Sequence, residues 1–209
     1  MTPTFKILPR YAELLDYPSE ALAARSAATA DELKWQPTIW LDLLEAFALE
    51  AQLIPLGELE EMYTRTFDLN PSCTLEIGWH LFGETYKRGS FLANVREALR
   101  VHEVPEGSAL PDYLPTLLRL LPKLRHDDAQ DLVRDCVLPA LEKLRGAVGE
   151  GAGPYANLLE SLQLLLKDLA PGEGATLAQG CGSSDAKNPD HACTCSHTPV
   201  NGKEAPHAH

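Results

Sequence analysis

Residues 38–53 read Thr-Ile-Trp-Leu-Asp-Leu-Leu-Glu-Ala-Phe-Ala-Leu-Glu-Ala-Gln-Leu. Ile39, Trp40, Leu43, Leu44, Phe47, Ala51 and Leu53 recur at helical steps, with Asp42, Glu45 and Glu50 on other faces, so the spacing predicts an amphipathic helix. The same period governs the flanking sequence. Upstream, Ile7, Leu8, Tyr11, Leu14 and Leu15 form a short helical stripe that ends at Asp16-Tyr17-Pro18, where proline disfavours helical geometry in the residue before it. Ser19 is placed to cap an alanine-rich helix from Glu20 to about Ala28, followed by a polar break from Asp31 to Pro37.

Downstream, Pro55 opens a helix through Leu56, Leu59, Tyr63 and Phe67, which Asn70-Pro71-Ser72 ends. Beyond Thr74, Gly78, Gly83 and Gly89 each weaken a helix by about 1 kcal/mol relative to alanine, so the chain either breaks near a glycine or packs its backbone against a neighbour. Phe91, Leu92, Val95, Ala98, Leu99 and His102 then form another stripe. Leu114, Leu117, Leu118 and Leu121 predict a short helix between Pro111 and Pro122, with Asp112 as its N-cap. Ala129 to Leu144 repeats at three and four, with a kink expected at Pro139, and Tyr155 to Leu169 is a last leucine-rich helix. Nowhere does sustained alternation with β-branched enrichment occur. The fold class is therefore all-α: a single-domain helical bundle over residues 1–170 with a tail from 171 to 209.

The tail is rich in Gly, Ser, Asn, Pro and His, and its only large aliphatic residues are Leu177 and Val200. Such a segment cannot bury enough surface to offset chain entropy, so it is expected to be disordered. It carries Cys181, His191, Cys193, Cys195 and His197, soft ligands able to chelate zinc, copper(I) or nickel, though not at zinc-finger spacing. A metal-delivery protein acting through this tail is thus one functional alternative. Cys73 and Cys136 stand singly in the body, so no disulfide framework is expected.

The whole chain has 18 Lys and Arg against 30 Asp and Glu, a net charge of -12. That surplus of carboxylates argues against nucleic acid as a partner and favours basic protein segments. No apolar run reaches the roughly 18 residues of a membrane span and no leader is evident, so a cytoplasmic protein without direct membrane insertion is expected.

Catalytic patterns are lacking. Gly83 to Gly89 is no phosphate loop, and neither a nucleophile elbow nor an activated-cysteine motif occurs. If one helix ran through Glu76, His80, Glu84 and Arg88, steps of four would place all of them on one face, superficially like an acid-base or metal site. Charge pairing on a helix surface explains that pattern more simply. No enzyme activity and no resident cofactor are expected.

Three ordered blocks carry a resemblance. Tyr63-x-x-x-Phe67-Asp68, then His80-x-x-Gly83-Glu84-Thr85-x-x-Arg88-Gly89, then Leu110-Pro111-Asp112-Tyr113-Leu114-Pro115 resemble the pattern of NarJ-type nitrate reductase assembly chaperones, within the TorD/DmsD superfamily. Leu14-Leu15-Asp16-Tyr17-Pro18 extends the likeness over roughly residues 10–170. The resemblance implies an all-helical cytoplasmic chaperone that binds the N-terminal peptide of an apo molybdoenzyme catalytic subunit. It would hold that subunit during molybdenum cofactor insertion, before membrane attachment or export. By position, the client surface would comprise Tyr63, Phe67, Trp79, His80, Glu84 and Arg88, with Asp112 and Tyr113 beside it. The family pattern has His after the Asp. Tyr113 in its place points to a nitrate reductase or a related oxyanion reductase as client.

Overall fold

A computed structural model describes residues 4–34 and 38–172. The polar break at 35–37 and the tail from 173 onward, with Cys181, His191, Cys193, Cys195 and His197, lie outside the described residues. Ten α-helices are present among the described residues: α1 (Leu8–Leu15), α2 (Leu22–Leu33), α3 (Ile39–Leu53), α4 (Leu56–Tyr63), α5 (Ile77–Phe82), α6 (Tyr86–Val101), α7 (Leu114–Leu120), α8 (His126–Leu132), α9 (Leu138–Ala147) and α10 (Tyr155–Leu169). No strand occurs among them; an isolated antiparallel bridge pairs Glu76 with Tyr113.

α3 and α10 form the spine of the bundle. The face that α3 buries is Trp40, Leu41, Leu44, Phe47, Ala48 and Ala51, which meets the leucines of α10. The expected stripe is corrected at its ends: Ile39 is 64% exposed and Leu53 76% exposed, because neither the first nor the last turn of α3 is covered. Two polar ties fix the register of the pair. Trp40 Nε1 donates to Asp168 at 2.9 Å, and the Ser161 hydroxyl, meeting Tyr11 at 2.7 Å, donates to the Trp40 carbonyl at 2.5 Å. With their hydrogen bonds made, these polar groups cost little to bury among leucines.

α2 packs along the other side of α3, and α1 lies against α7. α2 starts at Leu22 and runs on to Leu33, beyond the expected end near Ala28, because Leu22, Ala30 and Leu33 continue its buried face through the polar residues Asp31 and Glu32. Ser19 contributes its backbone carbonyl to the Leu22 amide and no side-chain cap.

Two helices contain π turns. α4 continues into a π turn at Thr64–Asp68, and α8 reaches α9 through another at Val133–Val137. The second stands directly before Pro139, which lacks an amide hydrogen and crowds the carbonyl four residues back. A widened turn at that point accommodates the ring, so the expected proline kink takes the form of a π turn.

Candidate functional site

The segment from Thr74 to Arg88 is not one helix. α5 stops at Gly83, whose φ of 56° is open to glycine at little cost, and α6 starts afresh at Tyr86. Glu76 precedes α5 as its N-cap residue and Glu84 lies in the turn, so Glu76, His80, Glu84 and Arg88 do not share a helical face. The apparent acid-base row is thereby removed.

The glycines divide the two expected roles between them. Gly83 provides the break, while Gly78 provides the close approach: a Cβ there would lie 2.6 Å from Asp112 Oδ2 and 3.0 Å from Phe91 Cδ1. Around Gly89 nothing lies within 4 Å, so close packing is not its reason.

Asp112 is fully buried and caps a helix, but not its own. α7 has no side-chain cap; Asp112 Oδ2 instead accepts the Gly78 amide hydrogen at 3.0 Å in the first turn of α5. The backbones reinforce this crossing, with Ile77 N donating to Asp112 O at 2.9 Å and Leu114 N to Leu75 O at 2.8 Å. Arg88 reaches the same node from α6, its Nη2 lying 2.6 Å from Glu76 and 3.5 Å from Asp112. Burial pushes the Asp112 carboxyl above its ordinary range, with Arg88 pulling the other way. Asp112 Oδ1 and Arg88 Nε are buried without a hydrogen-bond partner.

Around this node the expected residues separate into buried and accessible sets. Tyr63 and Phe67 are each 3% exposed and stack edge-on with each other and with Tyr155, so they fill the core. Tyr63 is also a hinge pin. Its hydroxyl donates to the Leu15 carbonyl at 2.9 Å and meets the Tyr113 hydroxyl at 2.8 Å, and burial holds its pKa far above the ordinary phenol value. Trp79, His80, Arg88 and Tyr113 are partly exposed, and Glu84 is open to solvent. The Arg88 guanidinium stands 5.6 Å from the centre of the Trp79 ring, a cation held against an aromatic face.

His80 has a mainly local role. Its Nε2 lies 2.7 Å from the Thr74 carbonyl, and burial lowers its pKa below the ordinary imidazole value. Its own carbonyl accepts from Lys143 Nζ at 2.8 Å, which ties α5 to α9. Among the described residues no group of three or more His, Cys, Asp or Glu side chains is arranged to hold a metal ion.

Sequence reasoning missed Glu76 and Gly78 as members of the node and Tyr17 as a wall beside Tyr63. Gly78 had a signal in its backbone freedom, and Tyr17 sits in the quoted Leu14–Pro18 block. The partnership of Glu76 with Arg88 required the fold.

A helical bundle with these crossings was compared with known proteins. The family model described as nitrate reductase delta subunit matches residues 26–160. The chain belongs to the nitrate reductase delta subunit family. This is the family of the NarJ-type chaperones that the three blocks resemble, and it makes the protein a molybdoenzyme maturation chaperone. The match spans α3 to α9 in full and takes in the α5 turn, Arg88 and the Asp112 loop, leaving the tail outside. No curated protein matches the chain. No helix among the described residues is long and apolar enough to cross a membrane.

Proposed function

We propose that this delta-family protein binds the N-terminal segment of an apo molybdoenzyme catalytic subunit, nitrate reductase or a related oxyanion reductase. It holds that subunit while the molybdenum cofactor is inserted, before membrane attachment or export, and does so in the cytoplasm without chemistry of its own. The observation that supports this reading is the Arg88–Trp79 pair, fixed from behind by Glu76 and Asp112 and bordered by the exposed Glu84 and Tyr86. An amphipathic peptide needs an apolar platform with carboxylates at its rim, and Trp79 with Glu84 supplies both.

Trp79, His80, Glu84, Arg88 and Tyr113 are the proposed contact residues, with Asp112 as the buried group that holds them in place. Tyr63 and Phe67, being core residues, act by supporting the Asp112–Tyr113 loop. Co-expression of the full chain with the catalytic subunit, followed by affinity capture, tests the proposal. A complex that weakens with Trp79→Ala is expected, and no complex with the apo subunit or its N-terminal segment overturns it.

A further inference from the structure

On the side of Tyr63 facing away from the core, a cleft of about 370 Å³ is lined by Tyr17, Glu60, Glu61, Thr64, Arg65 and Leu69. Its shape follows from the local sequence. α1 ends at Leu15, and the extended Asp16 sends Tyr17 outward, where its ring meets Tyr63 edge-on at 5.4 Å. α4 supplies the opposite wall, and the π turn at Thr64–Asp68 carries the chain on to Leu69. Two apolar side chains are thereby left in water at one place, Tyr17 at 54% and Leu69 at 73% exposure.

The charges of the cleft are not balanced. Arg65 is engaged twice, with Glu61 at 3.4 Å and with the Gly151 carbonyl at 3.0 Å. Glu60 has no ion pair or hydrogen bond to its side chain among the described residues. From Glu58 to Asp68 the sequence holds four carboxylates against the one guanidinium of Arg65, in a chain of net charge -12. Such a surface repels acidic peptides and nucleic acid, and attracts a segment that combines an apolar side chain with a Lys or Arg.

We infer that this cleft is a second contact for the client segment, seating one apolar side chain between Tyr17 and Leu69 and one basic side chain against Glu60. The inference rests on the client-binding reading above, and the Tyr63–Tyr113 hydroxyl pair joins the cleft to the Asp112 loop within one surface. An apolar anchor beside an unpaired carboxylate is a common way to fix the register of a bound peptide.

Titration calorimetry of the full-length chain tests it, with a synthetic peptide covering the N-terminal segment of the same organism's nitrate reductase catalytic subunit. Glu60→Lys and Leu69→Asp alter accessible side chains and are expected to retain the wild-type melting temperature while weakening binding about ten-fold or more. A second peptide with its Lys and Arg residues replaced by Gln is expected to bind wild type and Glu60→Lys equally, since the interaction probed by that exchange is then absent. If the wild type binds the native peptide, Trp79→Ala weakens it and both cleft variants match wild type, the cleft is overturned and client binding stands. If the wild type binds no such peptide, both fall together.

Discussion

The Asp112 carboxylate accepts the Gly78 amide hydrogen at 3.0 Å across 34 residues of chain, so the loop before α7 caps the start of α5. The contact allows no side chain at position 78, where a Cβ would meet Asp112 Oδ2 at 2.6 Å. A buried acid, a glycine and the arginine of a third helix thus form one unit beneath the Trp79 surface.

Gly78→Ala is expected to destabilise the protein by about 2 kcal/mol, the cost of overpacking a site whose neighbour is a held carboxylate. Gly89→Ala, in the open interior of α6, is expected to stabilise it by about 0.5 to 1 kcal/mol. Urea unfolding of the two variants checks the opposite signs.

Asp112→Ala removes the cap and one partner of Arg88, and a loss of about 3 kcal/mol is expected, at the low end for a broken buried pair because Glu76 remains. The pH dependence has a definite sign. Since burial holds the folded Asp112 carboxyl above its unfolded value, the folded chain takes up a proton first as pH falls. Its contribution to stability therefore rises as pH drops through the folded pKa and is complete below the unfolded one. The stability of wild type relative to Asp112→Asn should increase on acidification from neutral pH, measured by urea unfolding at a series of pH values.

For His80 the sign is reversed. Its folded pKa lies below the unfolded value, so its contribution is complete above the ordinary imidazole range and is lost as pH falls from there toward the folded pKa. His80→Gln keeps a donor for the Thr74 carbonyl, and it is expected to match wild type within about 1 kcal/mol at neutral pH. It should also lose less stability than wild type just below that range, read from thermal melts at paired pH values.

Tyr113→Phe removes one hydroxyl from the pair with Tyr63 but leaves the Tyr63 bond to Leu15, for an expected cost of about 1 kcal/mol. Tyr63→Phe deprives both Tyr113 and the Leu15 carbonyl of a partner and is expected to cost about twice as much. A double-mutant cycle by urea unfolding separates the shared bond from the rest.

Deletion of residues 173–209 distinguishes the chaperone from a metal-delivery protein. Client capture is expected to survive the deletion, as the proposed contacts all lie between Tyr17 and Tyr113. Its loss, measured by the same co-expression assay, would instead assign the activity to Cys181, His191, Cys193, Cys195 and His197.

Much of the bundle was legible because the period of leucines and aromatics is a local property. The stripe in α3, the proline at its end and the leucines of α10 all read correctly, and only the exposed ends Ile39 and Leu53 escaped, since coverage depends on neighbours. Position 112 shows the harder limit. A capping residue was legible there, but which helix it serves depends on a crossing between distant segments. The π turn at Thr64–Asp68 left no trace in the pattern, as Tyr63 and Phe67 are four apart whether the turn is α or π.

A π turn carries one more residue than the α turn it replaces. Removing a single residue between Thr64 and Asp68 would let the helix close in α geometry, and everything after the deletion would swing by about 100° relative to Tyr63. Leu69 would then leave Tyr17. The length of this one turn, more than the identity of its residues, sets the angular alignment of the two walls, and homologues differing by one residue here are expected to present a differently shaped cleft to their clients.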